Sequence, residues 1–422
     1  MIVREAKPGE WELWRALRLR ALAESPDAFG ETLAEAQTHD EAGWRHFVAW
    51  GPDRSRLVAE DGGVPIGMCV VVLAGDQRKA NVYAMWVAPE ARGRGVGKAL
   101  IEAALRWARA RAALDVTLHV SDRQPAARRL YERCRFCVTG ERTSLRPGSA
   151  VEVDVMVAHL PPLIMGVVNV TPDSFTDGGA YLDPAAAAGR AEQLVAEGAD
   201  IVDIGGEATN PRATPVAAAE ELRRVLPVIE RLAGTTRAAL SIDTTKAEVA
   251  RAAVAAGATI INDVSGGLFD PAMAGAVAAL PDVTYLAGHL RGRSLPEVFA
   301  AEGSVSWQTV ASELLARLAA LAPARAWIDP GIGFGKGGDP EGNVALIRHA
   351  GDIAATIRRP IVVGPSRKRF LRRLLGVHDS STDELDAASV LASLAAVRAG
   401  AQVVRVHNVA LLRTRLSAYN KE

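Results

Sequence analysis

The sequence predicts an α/β protein in two parts: a smaller mixed α/β domain, then a closed (β/α)₈ barrel. Three observations carry this. Eight apolar, β-branched runs occur after residue 160, and nearly every one ends in a polar or ionisable residue. Alanine-rich stretches at helical spacing fill most of the gaps between them. Up to about residue 150 the chain is instead dense in arginine and tryptophan. Strand–helix alternation to a count of eight is the pattern of a parallel barrel, whose catalytic groups sit at the C-terminal strand ends.

The totals agree. A chain of 422 residues is too long for one ordinary domain. Its 49 Lys+Arg balance 49 Asp+Glu, so charge gives no reason to expect nucleic acid or a membrane surface. No apolar run reaches the roughly 18 residues of a membrane helix. The first residues, MIVREAKPGEWELWRALRLR, are charged throughout and lack a signal-peptide core. Cys69, Cys134 and Cys137 are too few for a disulfide scaffold and fit a reducing cytoplasm. Cys134-x-x-Cys137 has no second pair or paired histidines beside it, which argues against a metal site. The seam is AHLPPLI (Ala158–Ile164), where Pro161-Pro162 can continue neither a helix nor a central strand. The expected domains are therefore 1–158 and 163–422, joined by a linker at 159–162.

In the first domain the patterns predict a strand at Met1–Ala6 and helices at Glu10–Ala23 and Glu41–Trp50. Strands at Ser55–Glu60, Pro65–Leu73 and Lys79–Val87 follow, then a helix at Gly97–Ala112, a strand at Asp115–Val120, a helix at Gln124–Cys134 and a final strand pair. The sharpest feature is VAPEARGRGVGKAL (Val87–Leu100). A strand ends, a turn begins at Pro89, and glycines let the backbone approach a ligand as a helix opens. Its unpaired first N–H groups and its dipole favour an anion such as a diphosphate.

With LHVSDRQPAARRLYERCRF (Leu118–Phe136) and RLRALAESPDAFGETLAE (Arg18–Glu35), this turn resembles the GNAT family of acetyl-CoA-dependent N-acetyltransferases over the whole first domain. The resemblance implies that backbone groups of Arg92, Gly93, Arg94, Gly95, Val96, Gly97 and Lys98 bind the CoA diphosphate. It further implies that Trp86 and Val87 pair with pantetheine and that Tyr131 protonates the departing thiolate. Two residues depart from the family: Gln124 replaces the usual Asn, and Arg135 replaces the usual Gly before Phe136. No general base stands out, although Glu60 and Tyr83 lie on plausible strands.

In the second domain the runs are Leu163–Val170, Asp200–Gly206, Ala239–Thr245, Thr259–Gly267, Val283–His289, Ala326–Gly335, Pro360–Lys368 and Val403–Asn408. The first leads into VNVTPDSFTDGGAYLD (Val168–Asp183), where Asn169 leaves the strand end as a neutral oxygen ligand ahead of a long polar loop. DPGIGFGK, GPSRK and RVH repeat the design at later strand ends. Taken singly, Asp243 before Thr-Thr reads equally well as a helix cap, and Asn262-Asp263 as a turn.

Together, and in order, these runs resemble dihydropteroate synthase from about residue 163 onward. The resemblance implies joining of 4-aminobenzoate to a dihydropterin carrying a CH₂-diphosphate, with Mg²⁺ present, in a homodimer built through the barrel. Asp329 then matches the pterin 2-amino and N3 donors. Asp243 and Asn262 bond further ring nitrogens, and Lys368 donates to the ring acceptors. Arg405 and His407, on one strand face, serve the diphosphate, and Asn169 helps hold Mg²⁺ on it. Asp203 stabilises the cation that develops at the methylene. Thr209, Asn210, Pro211, Arg212 and Ser366 form the aminobenzoate region.

One segment departs. The family usually reads Gly-Glu-Ser-Thr-Arg-Pro-Gly, where this chain reads Gly206-Glu207-Ala208-Thr209-Asn210-Pro211-Arg212. Losing that arginine removes a charge-assisted bond worth roughly 1.5–3 kcal/mol, and Arg212 stands two positions on to restore it. Asn408 replaces the usual Asp after RVH, and GHLRGR (Gly288–Arg293) is a loose match. The expectation is a bifunctional enzyme with weakened sulfonamide affinity. The alternative is a pterin-binding barrel without synthase activity, with the first domain docking or regulatory.

Overall fold

A computed structural model describes residues 1–49, 51, 53–75, 77–171, 183–209, 214–300, 304–336, 340–376 and 381–419. The chain divides into two compact units, Met1–Pro161 and Pro162–Glu422.

The described residues of the first unit form a seven-stranded sheet. Its strands are β1 (Ile2–Glu5), β2 (Arg54–Asp61), β3 (Val64–Leu73), β4 (Lys79–Val87), β5 (Asp115–Ser121), β6 (Cys137–Ser144) and β7 (Glu152–His159), in the order β1-β2-β3-β4-β5-β7-β6. Only β4 and β5 pair in parallel, and they do so from Lys79↔Asp115 to Val82↔Leu118. The crossover between them is the helix Val96–Ala110, whose buried Val96, Leu100, Ile101, Ala104 and Trp107 lie at helical spacing on one face. Helices Trp11–Glu24 and Glu41–Val48 stand close to the forecast. The sequence reading missed the short helix Leu33–Gln37, although Thr32 and Glu35 form a capping box at its start.

The second unit is the expected barrel. Its strands are β8 (Leu163–Asn169), β9 (Ile201–Gly205), β10 (Ala239–Asp243), β11 (Ile260–Asp263), β12 (Thr284–Gly288), β13 (Arg325–Asp329), β14 (Val362–Val363) and β15 (Val403–Val406). Their order is β13-β12-β11-β10-β9-β8-β15-β14, all parallel. A bridge between Ile328 and Ile361, with the Ile328 N–H donating to Pro360 O at 2.9 Å, nearly closes the ring between β13 and β14. The run Pro360–Lys368 thus yields only a two-residue strand. Pro360 has no N–H to give, and Gly364-Pro365 follows at once. Alanine-rich helices cover the sheet; Ala187, Ala188, Ala191 and Leu194 of the helix Pro184–Ala196 are fully buried against it.

Ladder register brings the strand ends to one level. Asn169 pairs with Gly205, Gly205 with Asp243, Asp243 with Asn262, and Gly288 with Asp329. The polar residues that close these runs therefore ring one mouth of the barrel.

Candidate active site

At that mouth four forecast residues meet. Asp203 is fully buried. Its carboxylate accepts from Ser241 Oγ at 2.6 Å, Asn262 Nδ2 at 2.9 Å and Arg405 Nε at 2.7 Å. Arg405 Nη2 also donates to Asp243 Oδ2 at 2.8 Å. One guanidinium thus bridges two carboxylates. Burial and the Asp203 charge push Asp243 up to about 7, against the pull of Arg405. Ser241 was missed in the sequence, although it stands two residues before Asp243 and so shares its strand face.

Asp329, half-buried at the end of β13, accepts the Gly331 N–H at 2.7 Å. Burial raises its carboxyl while that bond and the Lys368 charge oppose the shift. The turn admits only glycine at Gly331, where φ is +70° and a Cβ would lie 1.8 Å from His289 O. Phe334, from the same turn, carries Lys368 Nζ over its ring at 3.9 Å. Burial, then the Arg405 cation, push the Lys368 ammonium down to about 8.

His407 sits beside Ser366, with Nδ1 and Oγ 2.9 Å apart, and its own N–H reaches the same Oγ at 3.2 Å. Burial, with Arg367 and Arg405 near, holds its imidazole well below the usual value, so it is neutral. It offers hydrogen bonding, and the positive charge at β15 belongs to Arg405. Asn169 is half-buried at the end of β8 and Thr209 is half-buried after β9. Asn210, Pro211 and Arg212, like most of the loop after Asn169, lie outside the described residues. Among the described residues no three carboxylate, histidine or cysteine side chains group as a metal cage. The neutral Asn169 oxygen is a donor set that fits Mg²⁺ only where the ligand phosphates supply the charge.

Two ionic clusters near the mouth, one buried and one half-buried, were not foreseen. Lys336, 2% exposed, donates to His289 Nδ1 at 2.9 Å, His289 O at 3.1 Å and Phe334 O at 3.0 Å. His289 Nε2 lies 2.9 Å from Glu313 Oε2. Burial lowers Lys336 to about 7 and, with the Lys336 charge, His289 to about 3. The other cluster joins Lys246 to Glu207 and Glu221. Its only sequence signal is Glu207 and Lys246 just beyond two strand ends; Glu221 lies in the first turn of the helix Ala218–Leu232.

The first unit has its own cleft. Beyond Val82 and Leu118 the strands β4 and β5 no longer pair, while β4 runs on to Val87. A bulge accompanies the parting: Met68 faces Trp86 and Val70 faces Tyr83, and Ala84 between them takes φ +51°. The backbone of β4 on the β5 side is thus left open. Below it Gly93 and Gly95 hold φ of +77° and +82°, and the helix starts at Val96 with no side-chain cap. Its first N–H groups are free for an anion.

Trp86 is buried, and its Nε1 donates to Glu24 at 3.0 Å. Arg92 bonds Glu24 at 2.7 Å and Val87 O at 3.0 Å, so the Val87 carbonyl already has a donor. Arg94 pairs with Asp61 at 2.5 Å, and Lys98 is exposed beside Glu102 at 3.7 Å. Tyr131 is 6% exposed against Phe136, and burial raises its phenol well above the usual value. Glu60 is tied to Arg4 at 2.6 Å and is no free base, whereas Tyr83 is half exposed. Arg135 adopts φ +69°, the left-handed conformation for which glycine is usual.

Comparison with known proteins matches two families, one in each unit. A family model described as "Pterin binding enzyme" matches residues 165–407, and one described as "Acetyltransferase (GNAT) family" matches 19–136. The dihydropteroate synthase of Mycobacterium leprae (strain TN) is 44% identical over 264 residues, 59% of this chain and 89% of that protein. A mitochondrial folate synthesis bifunctional protein of Arabidopsis thaliana is 41% identical over 264 residues, 58% of this chain but 47% of that protein. The chain thus spans about half the plant protein's length. Among solved structures, a Xanthomonas albilineans dihydropteroate synthase with 4-aminobenzoic acid aligns at TM-score 0.56 and 42% identity, covering 63% of this chain and 94% of that one. A Yersinia pestis dihydropteroate synthase in a sulfonamide complex aligns at TM-score 0.56 and 32% identity, covering 62% and 93%.

Proposed function

The chain belongs to the pterin-binding enzyme family and carries a GNAT-type domain ahead of its barrel, and we propose that the barrel is a dihydropteroate synthase. It joins 4-aminobenzoate to (7,8-dihydropterin-6-yl)methyl diphosphate, giving 7,8-dihydropteroate and diphosphate. The observation that carries this reading is the single guanidinium of Arg405 bridging Asp203 and Asp243, with Asn262, Asp329 and Lys368 around the same mouth.

Each residue has a part. Asp329 receives the paired N–H donors of the pterin edge, and Lys368 donates to its acceptors. Asp243 and Asn262 bond the remaining ring nitrogens. As the C–O bond to diphosphate breaks, positive charge grows on the pterin methylene. The buried Asp203, fixed by three donors, stabilises that charge without having to reorient. The arylamine nitrogen captures the methylene. Arg405, with neutral His407, faces the leaving diphosphate, and Ser366, 2.9 Å from His407 Nδ1, belongs to the aminobenzoate region. Asn169 would help hold Mg²⁺ at the diphosphate, where the ion would supply charge neutralisation. No enzyme nucleophile is required.

The first domain, in this proposal, transfers acetyl from acetyl-CoA to an amine. The opened edge of β4 and the free helix start after Gly95 support it. The amine ends as an amide and the CoA sulfur leaves as thiol, with Tyr131 placed as its acid. Sulfonamide affinity is weakened because Asn210 stands where the family carries arginine.

Incubation with aminobenzoate, the pterin diphosphate and Mg²⁺ tests the synthase, and absence of dihydropteroate at high enzyme concentration refutes it. Pterin binding by calorimetry without turnover would instead favour a barrel that only binds pterin, the reading that the Asn210 change motivates. Acetyl-CoA turnover across a panel of amines, arylamines included, tests the first domain. Sedimentation tests the homodimer that the resemblance implies.

A further inference from the structure

The chain leaves β9 at Gly205 and returns to the barrel wall in the helix Ala218–Leu232. Between them lies the loop on which the synthase reading places the arylamine. Both ends of that loop converge on one side chain. Glu207 Oε1 accepts the Val216 N–H at 3.0 Å, so a single carboxylate ties the departing strand to the returning chain. Its other oxygen bonds Lys246 Nζ. Lys246 Nζ in turn donates to Glu221 Oε2 at 2.6 Å. Glu221 is fully buried, and among the described residues its Oε1 finds no hydrogen-bond partner. A second clasp runs parallel: Arg224 Nη1 donates to Gly206 O at 2.8 Å. A Cβ on Gly206 would meet Glu221 Cγ and Val225 Cγ1 at 2.9 Å, so the backbone lies directly on that helix.

Lys246 also belongs to the pterin side of the mouth. It follows Asp243 by three residues, and its N–H bonds Thr244 Oγ1 at 3.2 Å. The Thr244 N–H in turn bonds Asn262 O at 3.0 Å. The ammonium therefore connects the strand end that carries the pterin ligands to the carboxylate that holds the loop. A half-buried Lys that meets a fully buried carboxylate adds little stability, since desolvation of that carboxylate offsets much of the attraction. It does fix three groups from three elements in one geometry.

We propose that Lys246 is a positioning residue for the second substrate: through Glu207, and braced by Glu221, it sets where the arylamine-receiving loop leaves and rejoins the barrel. It touches neither substrate. The proposal rests on the synthase reading, and its test separates the two.

Steady-state kinetics are measured for Lys246→Met/Glu221→Leu, which removes the ammonium together with the buried carboxylate, for Lys246→Arg and for Glu207→Gln. The double variant is expected to raise KM for 4-aminobenzoate about tenfold or more, the scale of one lost charge-assisted bond, with kcat and pterin diphosphate affinity within about threefold. Lys246→Arg, which can still bridge the carboxylates, stays within about threefold of wild type in every constant. Glu207→Gln keeps an oxygen for Val216 but loses the ion pair, and shows the same KM split at reduced size. If the double variant fails to fold, as pterin calorimetry reports, the Glu207→Gln split decides alone.

An unchanged aminobenzoate KM, or a loss shared equally by kcat and pterin affinity, overturns the proposal while leaving the synthase reading intact. A wild-type protein that makes no dihydropteroate overturns the synthase reading, and this one with it.

Discussion

Asp203→Asn tests the electrostatics of the barrel mouth, because the charge it removes acts on a neighbour that the substitution does not touch. Asp203 and Asp243 accept from different nitrogens of the Arg405 guanidinium, at 2.7 and 2.8 Å. Carboxylates so placed lie roughly 5 Å apart, which at an effective dielectric near 20 is about 3 kcal/mol of repulsion, or about two pH units on Asp243. Both side chains are well shielded, at 0% and 17% exposure, so solvent screens little of this. Asp243 accordingly stands near 7, with burial the larger cause and Asp203 the next.

The sign follows directly. The Asp203 charge disfavours ionised Asp243, so removing it moves Asp243 toward the ordinary carboxylate range. Wild-type kcat/KM for the pterin diphosphate is therefore expected to fall on the acid side near pH 7, as Asp243 gains its proton. In Asp203→Asn that limb shifts about one to two pH units lower. The variant also loses pH-independent rate, because an amide NH₂ placed among Ser241, Asn262 and Arg405 meets donors on every side. The assay is a pH–rate profile from 5 to 9 with buffers of constant ionic strength. An acid limb that stays in place would falsify the claim that the two carboxylates are coupled through Arg405.

Three further outcomes are expected. On the alkaline side kcat/KM falls near pH 8, as Lys368 loses the proton with which it donates; Lys368→Met lacks this limb, and its persistence there would assign it to another group. Tyr131→Phe lowers the acetyl-transfer kcat about a hundredfold while acetyl-CoA affinity, read by calorimetry, holds; an equal loss in both would make Tyr131 a packing residue. Gly97→Val drives a side chain into Leu130 Cδ2, which already lies 2.8 Å from a Cβ built at that position. It should cost about 1–3 kcal/mol and lower the first unit's melting temperature by about 2–10 °C in calorimetry, and an unchanged transition would show that the helix has room to move.

Much of this molecule was legible in the sequence because the relevant rules are local. Period-two spacing shows that Ser241 and Asp243 share a face, as do Arg405 and His407, and runs such as IVDIG and ALSID can hardly be other than buried strands. The expected strands and barrel followed from that, as did the helix opening after Gly95. What local rules could not supply is pairing. The Asp203–Arg405 bond spans 202 positions and the Asp243–Arg405 bond 162, and both exist only because the sheet brings β15 beside β8, within side-chain reach of β9 and β10. In the sequence Lys246 stands three residues after Asp243 and Lys336 closes the run DPGIGFGK, and neither position marks its partners. Burial and three converging acceptors make Lys336 a brace, and two carboxylates from separate elements do the same for Lys246. The sequence by itself determined that the strand-end residues Asp203, Asp243, Asn262 and Arg405 reach the mouth of the barrel. The tertiary structure decided which of them share a charge, because electrostatic coupling depends on distance and burial, and neither is a property of neighbours along the chain.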